Sequence, residues 1–177
     1  MLFPQHRRIE HGCTAPLRIK RTTKEDVRLI LTFIRELAQH EKALDRVSAT
    51  EEALVVTLFG QRPYAEAVIA YENDEPVAFA LYFFSYTSFS ALPGLYLEDI
   101  FVRPAARGSG VGRQLFAFLA QRAIERNCAR MEWSVLNWNE RAIRFYEKLS
   151  AEPVRDWTVF HLSKEKMAQL ANQTAIA

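Results

Sequence analysis

The segment RGSGVGRQLF, residues 107–116, places three of the chain's six glycines within five positions, between a strand-like run and an apolar run of helical period. A helix that begins directly after a glycine-rich turn leaves backbone N–H groups unpaired, and its dipole favours an anion at that end. Phosphate is the usual guest. Gly108, Gly110 and Gly112 permit close approach and unusual backbone angles, while Arg107 and Arg113 bracket the loop with positive charge. The competing reading is a turn that simply tolerates glycine. Spacing excludes two phosphate loops. The dinucleotide fingerprint needs Gly-x-Gly-x-x-Gly, and here the third glycine comes one residue early; a nucleoside triphosphate loop needs Gly-Lys-Ser or Gly-Lys-Thr, and Gly112 is followed by Arg113 and Gln114.

The elements around the loop define an α/β chain. LRIKR opens the fold as a strand. Thr23 with Asp26 resembles a capping box, and Val27, Ile30, Ile34, Leu37 and Ala38 recur at helical spacing. Ser48, Thr50 and Glu51-Glu52 start a second helix carrying Leu54, Val55, Leu58 and Phe59. The period then changes to that of strands: AEAVIAYE and VAFALYFFSY flank the turn residues NDEP, a pattern that predicts an antiparallel hairpin. ALPG reads as a further break, and LYLEDIFV as the next strand. After the glycine loop come a helix to about Glu125, a strand RMEWSVL, a helix NERAIRFYEKL, a final strand WTVFHLS and a short closing helix KEKMAQLA. This order predicts a mixed, mostly antiparallel sheet with helices on both faces.

Composition narrows the partners. A chain of 177 residues with 49% hydrophobic and 25% charged residues has material for one domain with a full core. A net charge of +2 is too balanced for a dedicated nucleic-acid binder. Cys13 and Cys128 lie far apart and read as free thiols. No apolar run approaches a membrane span, and residues 1–12 lack the apolar middle of a secretory signal, so the cytoplasm is the expected compartment. Residues 1–16 have no period and are expected to form a flexible extension to a domain over 17–177. The histidines have no metal-ligand spacing, and no metal is expected.

Arg107-Gly108-Ser109-Gly110-Val111-Gly112 resembles the Arg/Gln-x-x-Gly-x-Gly/Ala signature of the GNAT superfamily of N-acetyltransferases. LYLEDIFVRPAARGSGVG, NWNERAIRFYEKL and ELAQHE extend the resemblance over residues 17–163, toward the spermidine/spermine and thialysine acetyltransferase branch. The resemblance implies the single-domain GNAT fold, with a twisted sheet of six to seven strands. It also implies acetyl-CoA as co-substrate, a small primary amine as acceptor, direct attack in a ternary complex, and a homodimer. Acetylation of a protein N-terminus or lysine, and a non-catalytic acyl-CoA sensor, are the alternatives.

Acetyl transfer to an amine needs a neutral nucleophile, donors for the developing oxyanion and a proton for the leaving thiolate. Period-two alternation along LYLEDIFV predicts Tyr96, Glu98 and Ile100 on one face and Leu97, Asp99 and Phe101 on the other, so that the two adjacent acids do not share a site. By the resemblance, Glu98 faces the amine and accepts its proton; an ion pair with an arginine is its alternative role, and Asp99 is read as structural. The resemblance also implies that the backbone of Ile100, Phe101 and Val102 meets the pantetheine arm, that the loop 107–113 holds the pyrophosphate, and that Tyr146 is the general acid. Tyr146 otherwise reads as a core aromatic. Asn139 is either a helix cap or a pantetheine contact, and Lys148 either reaches a phosphate or is solvated. His40, Glu41, Glu132 and Ser134 match positions that line the amine pocket in the branch. Two departures stand out. Ser150 occupies a helix end where glycine is usual, and Arg155-Asp156 leaves the distal ammonium site of polyamine enzymes ambiguous, so polyamines, thialysine and amino-acid side chains all remain candidate acceptors.

Overall fold

Helix starts in this chain are written in polar side chains. In a computed structural model describing residues 16–173, the Thr23 amide donates to the Asp26 carboxylate at 2.8 Å, just before helix α1 (Val27–His40). Thr50 accepts from the Ala53 amide at 3.2 Å to start α2 (Glu51–Phe59). Residues 1–15, where the expected extension falls, lie outside the described residues.

Five strands form one sheet in the order β1 (Arg18–Arg21), β2 (Glu66–Glu72), β3 (Glu75–Thr87), β4 (Leu92–Val102) and β5 (Met131–Trp133). The first four are antiparallel neighbours, and β5 runs parallel to β4. The β2–β3 turn is made by Asn73 and Asp74, both at positive φ (49° and 66°), the conformation a two-residue hairpin loop requires. One face of the sheet buries Ile69, Phe79 and Phe101 against Ile30, Leu31 and Phe33 of α1 and Leu54 and Leu58 of α2. The opposite face receives α3 (Val111–Glu125) through buried Val111, Leu115, Phe116 and Leu119, and Phe116 meets Trp133 of β5 edge to face at 5.0 Å. The α/β class, the mixed sheet and the helices on both faces are therefore as the sequence predicts.

The chain divides into two compact units, one ending at Leu136 and the other beginning at Asn137. The second holds α4 (Glu140–Glu147) and α5 (Lys164–Ala171).

Four expectations are corrected. The sheet has five strands among the described residues, not six to seven: WTVFHLS runs from 157 to 163 with no ladder. RMEWSVL contributes only Met131–Trp133. Pro93 and Gly94 lie inside β4, because the break comes earlier, at Ala91 with φ 54°. There the Pro93 carbonyl accepts from the Ala129 amide at 2.8 Å, and a Cβ on Gly94 would stand 2.8 Å from Ser85 Oγ, so the strand admits only glycine without a shift. The fourth correction, at Glu98 and Asp99, concerns the site.

Helices α1, α3 and α4 all end in the same way. Lys42, Asn127 and Ser150 adopt left-handed φ (57°, 53° and 63°), and the next amide reaches back to the carbonyls of Ala38, Ala123 and Tyr146 at 2.8, 2.8 and 3.1 Å. The left-handed cap expected at Ser150 is present without glycine. Relieving its Cβ strain should outweigh the added freedom of the unfolded chain: Ser150→Gly is expected to stabilise by about 0.5–1 kcal/mol, read as a rise of about 2 °C in the thermal midpoint.

Candidate active site

The spine of the site is β4. Along one edge it pairs with β3 from Leu92 to Val102; along the other it pairs with β5 only at Leu95, Tyr96 and Leu97. Beyond Leu97 this second edge has no partner strand among the described residues. Backbone N–H and C=O groups are obligatory hydrogen-bonding groups, so an extended ligand can take the place of the missing strand. Ile100, Phe101 and Val102 lie on this stretch, paired on the other side with Ala80, Phe79 and Ala78.

The register contains one extra residue. Ile100 stands opposite Ala80 and Asp99 opposite Leu81, yet Leu97 stands opposite Tyr82, so Glu98 is a bulge. A bulge resets the alternation. Phe101 and Leu81 belong to the face packed on α1, and Asp99, paired with Leu81, shares that face. Glu98 and Asp99 therefore line the same cavity, contrary to the alternation the sequence predicts. The cavity measures about 410 Å³ and is walled by Ile34, Leu37 and Ala38 of α1, Glu41 at its end, Arg46 and Val47 of the following turn, and the two acids.

The cavity is acidic but not uniformly wet. Glu98 is exposed, whereas Asp99 is partly buried. Burial, reinforced by the charges of Glu98 and Glu41, pushes the Asp99 carboxyl up to about 6. Among the expected pocket residues, Glu41 and Glu98 are brought together here. His40 lies beside them at the end of α1, with its ring 6.2 Å from that of Phe101. Glu132 and Ser134 are engaged elsewhere: Glu132 pairs with Arg130 at 2.7 Å, and Ser134 Oγ is 2.9 Å from the Tyr96 hydroxyl. Asp99 and Arg46 are the lining residues that sequence reasoning missed. The signal for Asp99 was its adjacency to Glu98, which a strict two-residue period assigned to the far side.

Past Val102, Arg103 fixes the strand end. Its guanidinium holds both Glu36 oxygens at 2.9 and 2.8 Å and the Pro76 carbonyl at 2.7 Å, and it lies 4.7 Å from the Phe33 ring centroid. Arg107 turns back, donating from Nε to the Val102 carbonyl at 2.8 Å, with its guanidinium carbon 5.4 Å from the Phe101 ring centroid. Its charge therefore anchors the loop to β4 as well as flanking it. Gly108 and Gly110 have φ of 90° and 95°, and an added Cβ on either would meet nothing within 4 Å. The loop is open, and its glycines answer to backbone conformation rather than to crowding. Ser109 Oγ donates to the Ala106 carbonyl at 2.9 Å. The first amide of the α3 ladder is that of Gln114, bonded to Gly110 at 3.1 Å, so those of Val111, Gly112 and Arg113 precede the ladder and face the loop. Arg113 is exposed.

In the second unit, Asn139 caps α4, its side chain accepting from the Ala142 amide at 3.2 Å. Of its two readings, capping is the one this geometry occupies. Tyr146 is partly buried on the same helix, with its ring 5.5 Å from that of Phe145. Lys148 is exposed at the helix end.

The site thus combines a strand, β4, that opens along part of one edge with a glycine-led helix start and an acidic cavity. Residues 31–151 match the acetyltransferase (GNAT) family, to which the chain belongs, and it is a GNAT-type N-acetyltransferase. Thialysine N-epsilon-acetyltransferase of Bos taurus is 34% identical over 166 residues, covering 88% of this chain and 97% of its own. L-ornithine N5-acetyltransferase of Arabidopsis thaliana is 30% identical over 195 residues, covering 85% and 86%. An integron cassette protein from the mobile metagenome of V. cholerae superimposes with a TM-score of 0.73 at 29% identity, covering 88% and 97%.

The raised Asp99 carboxyl has a stability consequence of definite sign. The native chain keeps this proton up to pH about 6, whereas an unfolded aspartate has released it near 3.8. Stability is therefore lost as pH rises through that window and stays lower above it. Asp99→Asn is expected to stabilise by on the order of 2–3 kcal/mol at pH 7.5, with the gain shrinking toward zero below about pH 4; urea titrations at the two pH values measure it.

Proposed function

We propose that this chain is an acetyl-CoA-dependent N-acetyltransferase of small-molecule primary amines, acting by direct attack of the amine in a ternary complex in the cytoplasm. The observation that carries the reading is the acidic cavity beside the open edge of β4, where Glu41, Glu98 and Asp99 offer three carboxylates to a cation. The names of the relatives, a thialysine and an ornithine acetyltransferase, describe acceptors with an amine on a short chain. A pocket of about 410 Å³ suits a ligand of that size.

The residues present fit acetyl-CoA. The positive-φ glycines leave an open cradle, and the amides of Val111, Gly112 and Arg113 suit the pyrophosphate at a helix start. The edge of Ile100–Val102, which has no partner strand among the described residues and whose Val102 carbonyl is held by Arg107, suits the amides of the pantetheine arm at its remaining backbone groups. When bound, acetyl-CoA supplies an activated thioester carbonyl. The chain's part is to align the amine with it, remove the amine's protons and return one to the leaving sulfur. Tyr146 serves as that donor, since a phenol of pKa near 10 matches a thiolate of similar basicity.

Calorimetry of the purified chain with acetyl-CoA, followed by turnover against thialysine, ornithine, polyamines and lysine-containing peptides, tests the reading. Binding with turnover of a small amine is the expected result; heat without any turnover would leave a sensor instead. Tyr146→Phe is expected to lower kcat by about 100-fold with acetyl-CoA affinity unchanged.

The active form is a homodimer. Val154, and Trp157, Val159, Phe160 and Leu162 in the run expected as a strand, are 48–91% exposed. Two aromatics and three aliphatics of this kind supply on the order of 600 Å² of apolar surface, approaching what each partner of a stable pair buries. A second copy of the chain is the occupant this supports. Light scattering should report twice the chain mass, and Phe160→Asp should shift it toward the monomer.

A further inference from the structure

The chain leaves α1 through Lys42 in the left-handed conformation, and the Ala43 amide returns to the Ala38 carbonyl at 2.8 Å. One 3-10 turn follows over Leu44–Arg46, closed by the Arg46 amide on the Ala43 carbonyl at 3.0 Å and the Val47 amide on the Leu44 carbonyl at 3.2 Å. The turn sets Arg46 and Val47 against the cavity lined by α1 and the bulged stretch of β4. Three of the ionisable residues lining that cavity are acids, and Arg46 is the one cation among them.

An arginine in such a place has an obvious structural role, a salt bridge to one of the carboxylates. Arg46 does not take it. Among the described residues seven other arginines form salt bridges, and Arg46 forms none. The Asp99 carboxyl responds to burial, to Glu98 and to Glu41, with no cation offsetting them. Arg46 is exposed, so its N–H donors meet water at the cavity rim until a ligand replaces it.

We propose that Arg46 is a specificity-determining residue that binds a carboxylate at the far end of the acceptor, so that the preferred acceptors are zwitterions, amino acids carrying a side-chain primary amine, rather than diamines or polyamines. This deepens, and rests on, the reading of the chain as an acetyltransferase of small amines. Charge decides between the two classes. A guanidinium presents its donors in a planar fork that matches a carboxylate through two parallel bonds. The other ionisable lining groups are carboxylates and repel an anionic group, so Arg46 is the partner the cavity offers it. The same guanidinium repels a second ammonium. One residue thus attracts the zwitterion and disfavours the diamine, and the preference reflects both effects. Because Arg46 is exposed, each effect is screened, and a preference of about 10-fold is the expected scale.

Matched acceptors test the assignment. Ornithine and 1,4-diaminobutane share two amines on the same carbon chain and differ by the carboxylate. The wild type should favour ornithine in kcat/KM by about 10-fold. Arg46→Gln should lower kcat/KM for ornithine and raise it for the diamine, through KM more than kcat, and bring the ratio to about one. Arg46→Glu should invert the preference, and Arg46→Lys should keep part of it. Lys42→Asn, which removes an exposed charge that does not line the cavity, should keep the ratio. Acetyl-CoA affinity and the thermal midpoint should not change in Arg46→Gln.

A readout without turnover separates this site from the reaction. With coenzyme A present, the guanidinium NMR signal that Arg46→Gln removes should move on addition of ornithine and stay in place with 1,4-diaminobutane. Four results would each overturn the proposal: a wild type that uses the diamine as well as ornithine, an unchanged ratio in Arg46→Gln, a loss of acetyl-CoA affinity in that variant, or a guanidinium signal indifferent to ornithine. If no amine is acetylated while that signal still moves, the functional reading fails and the carboxylate site stands.

Discussion

The hydrogen bonding of a single strand organises this molecule. β4 is satisfied by β3 along its whole length and by β5 along only three residues. Beyond Leu97 that second edge has no partner strand among the described residues, and Arg107 takes up one of its carbonyls, that of Val102. The rest of the site is built outward from that edge. Arg103 clamps the strand end to Glu36 of α1, Arg107 folds the following loop back onto Val102, and the loop then delivers the start of α3 next to the open edge.

The bulge at Glu98 works on the same strand by a different means. One additional residue bends the strand locally and turns two neighbouring acids toward one cavity, where a regular strand would have sent them to opposite faces. Because the cavity wall is apolar helix and its mouth is open, the two carboxylates meet different dielectric surroundings. The deeper one, Asp99, is pushed well above the ordinary aspartate range.

Much of this was legible beforehand where the signal is local. Thr23 and Thr50 announced helix starts because capping uses side chains one turn away, and the glycine pattern announced the turn before α3 because positive φ restricts residue type. Helix ends were harder to read. Lys42, Asn127 and Ser150 accept the left-handed conformation without being glycine, since the hydrogen bonds they close offset the strain. Pro93 and Gly94 read as a break yet sit in β4, where Pro93 needs no amide and Gly94 makes room for Ser85. WTVFHLS has the composition of a strand yet forms no ladder among the described residues, because composition alone does not supply a pairing partner.

The sequence by itself determined the class of the protein: the order of elements, the open glycine-led helix start, and the family to which residues 31–151 belong. These depend on contacts between residues a few positions apart. The tertiary structure alone decided which acids share a cavity, how deep each lies and which edge of the sheet stays open. Those properties follow from the register between β3 and β4 and from the packing of α1 against them, and pairings across twenty or sixty residues leave no periodic trace in the chain.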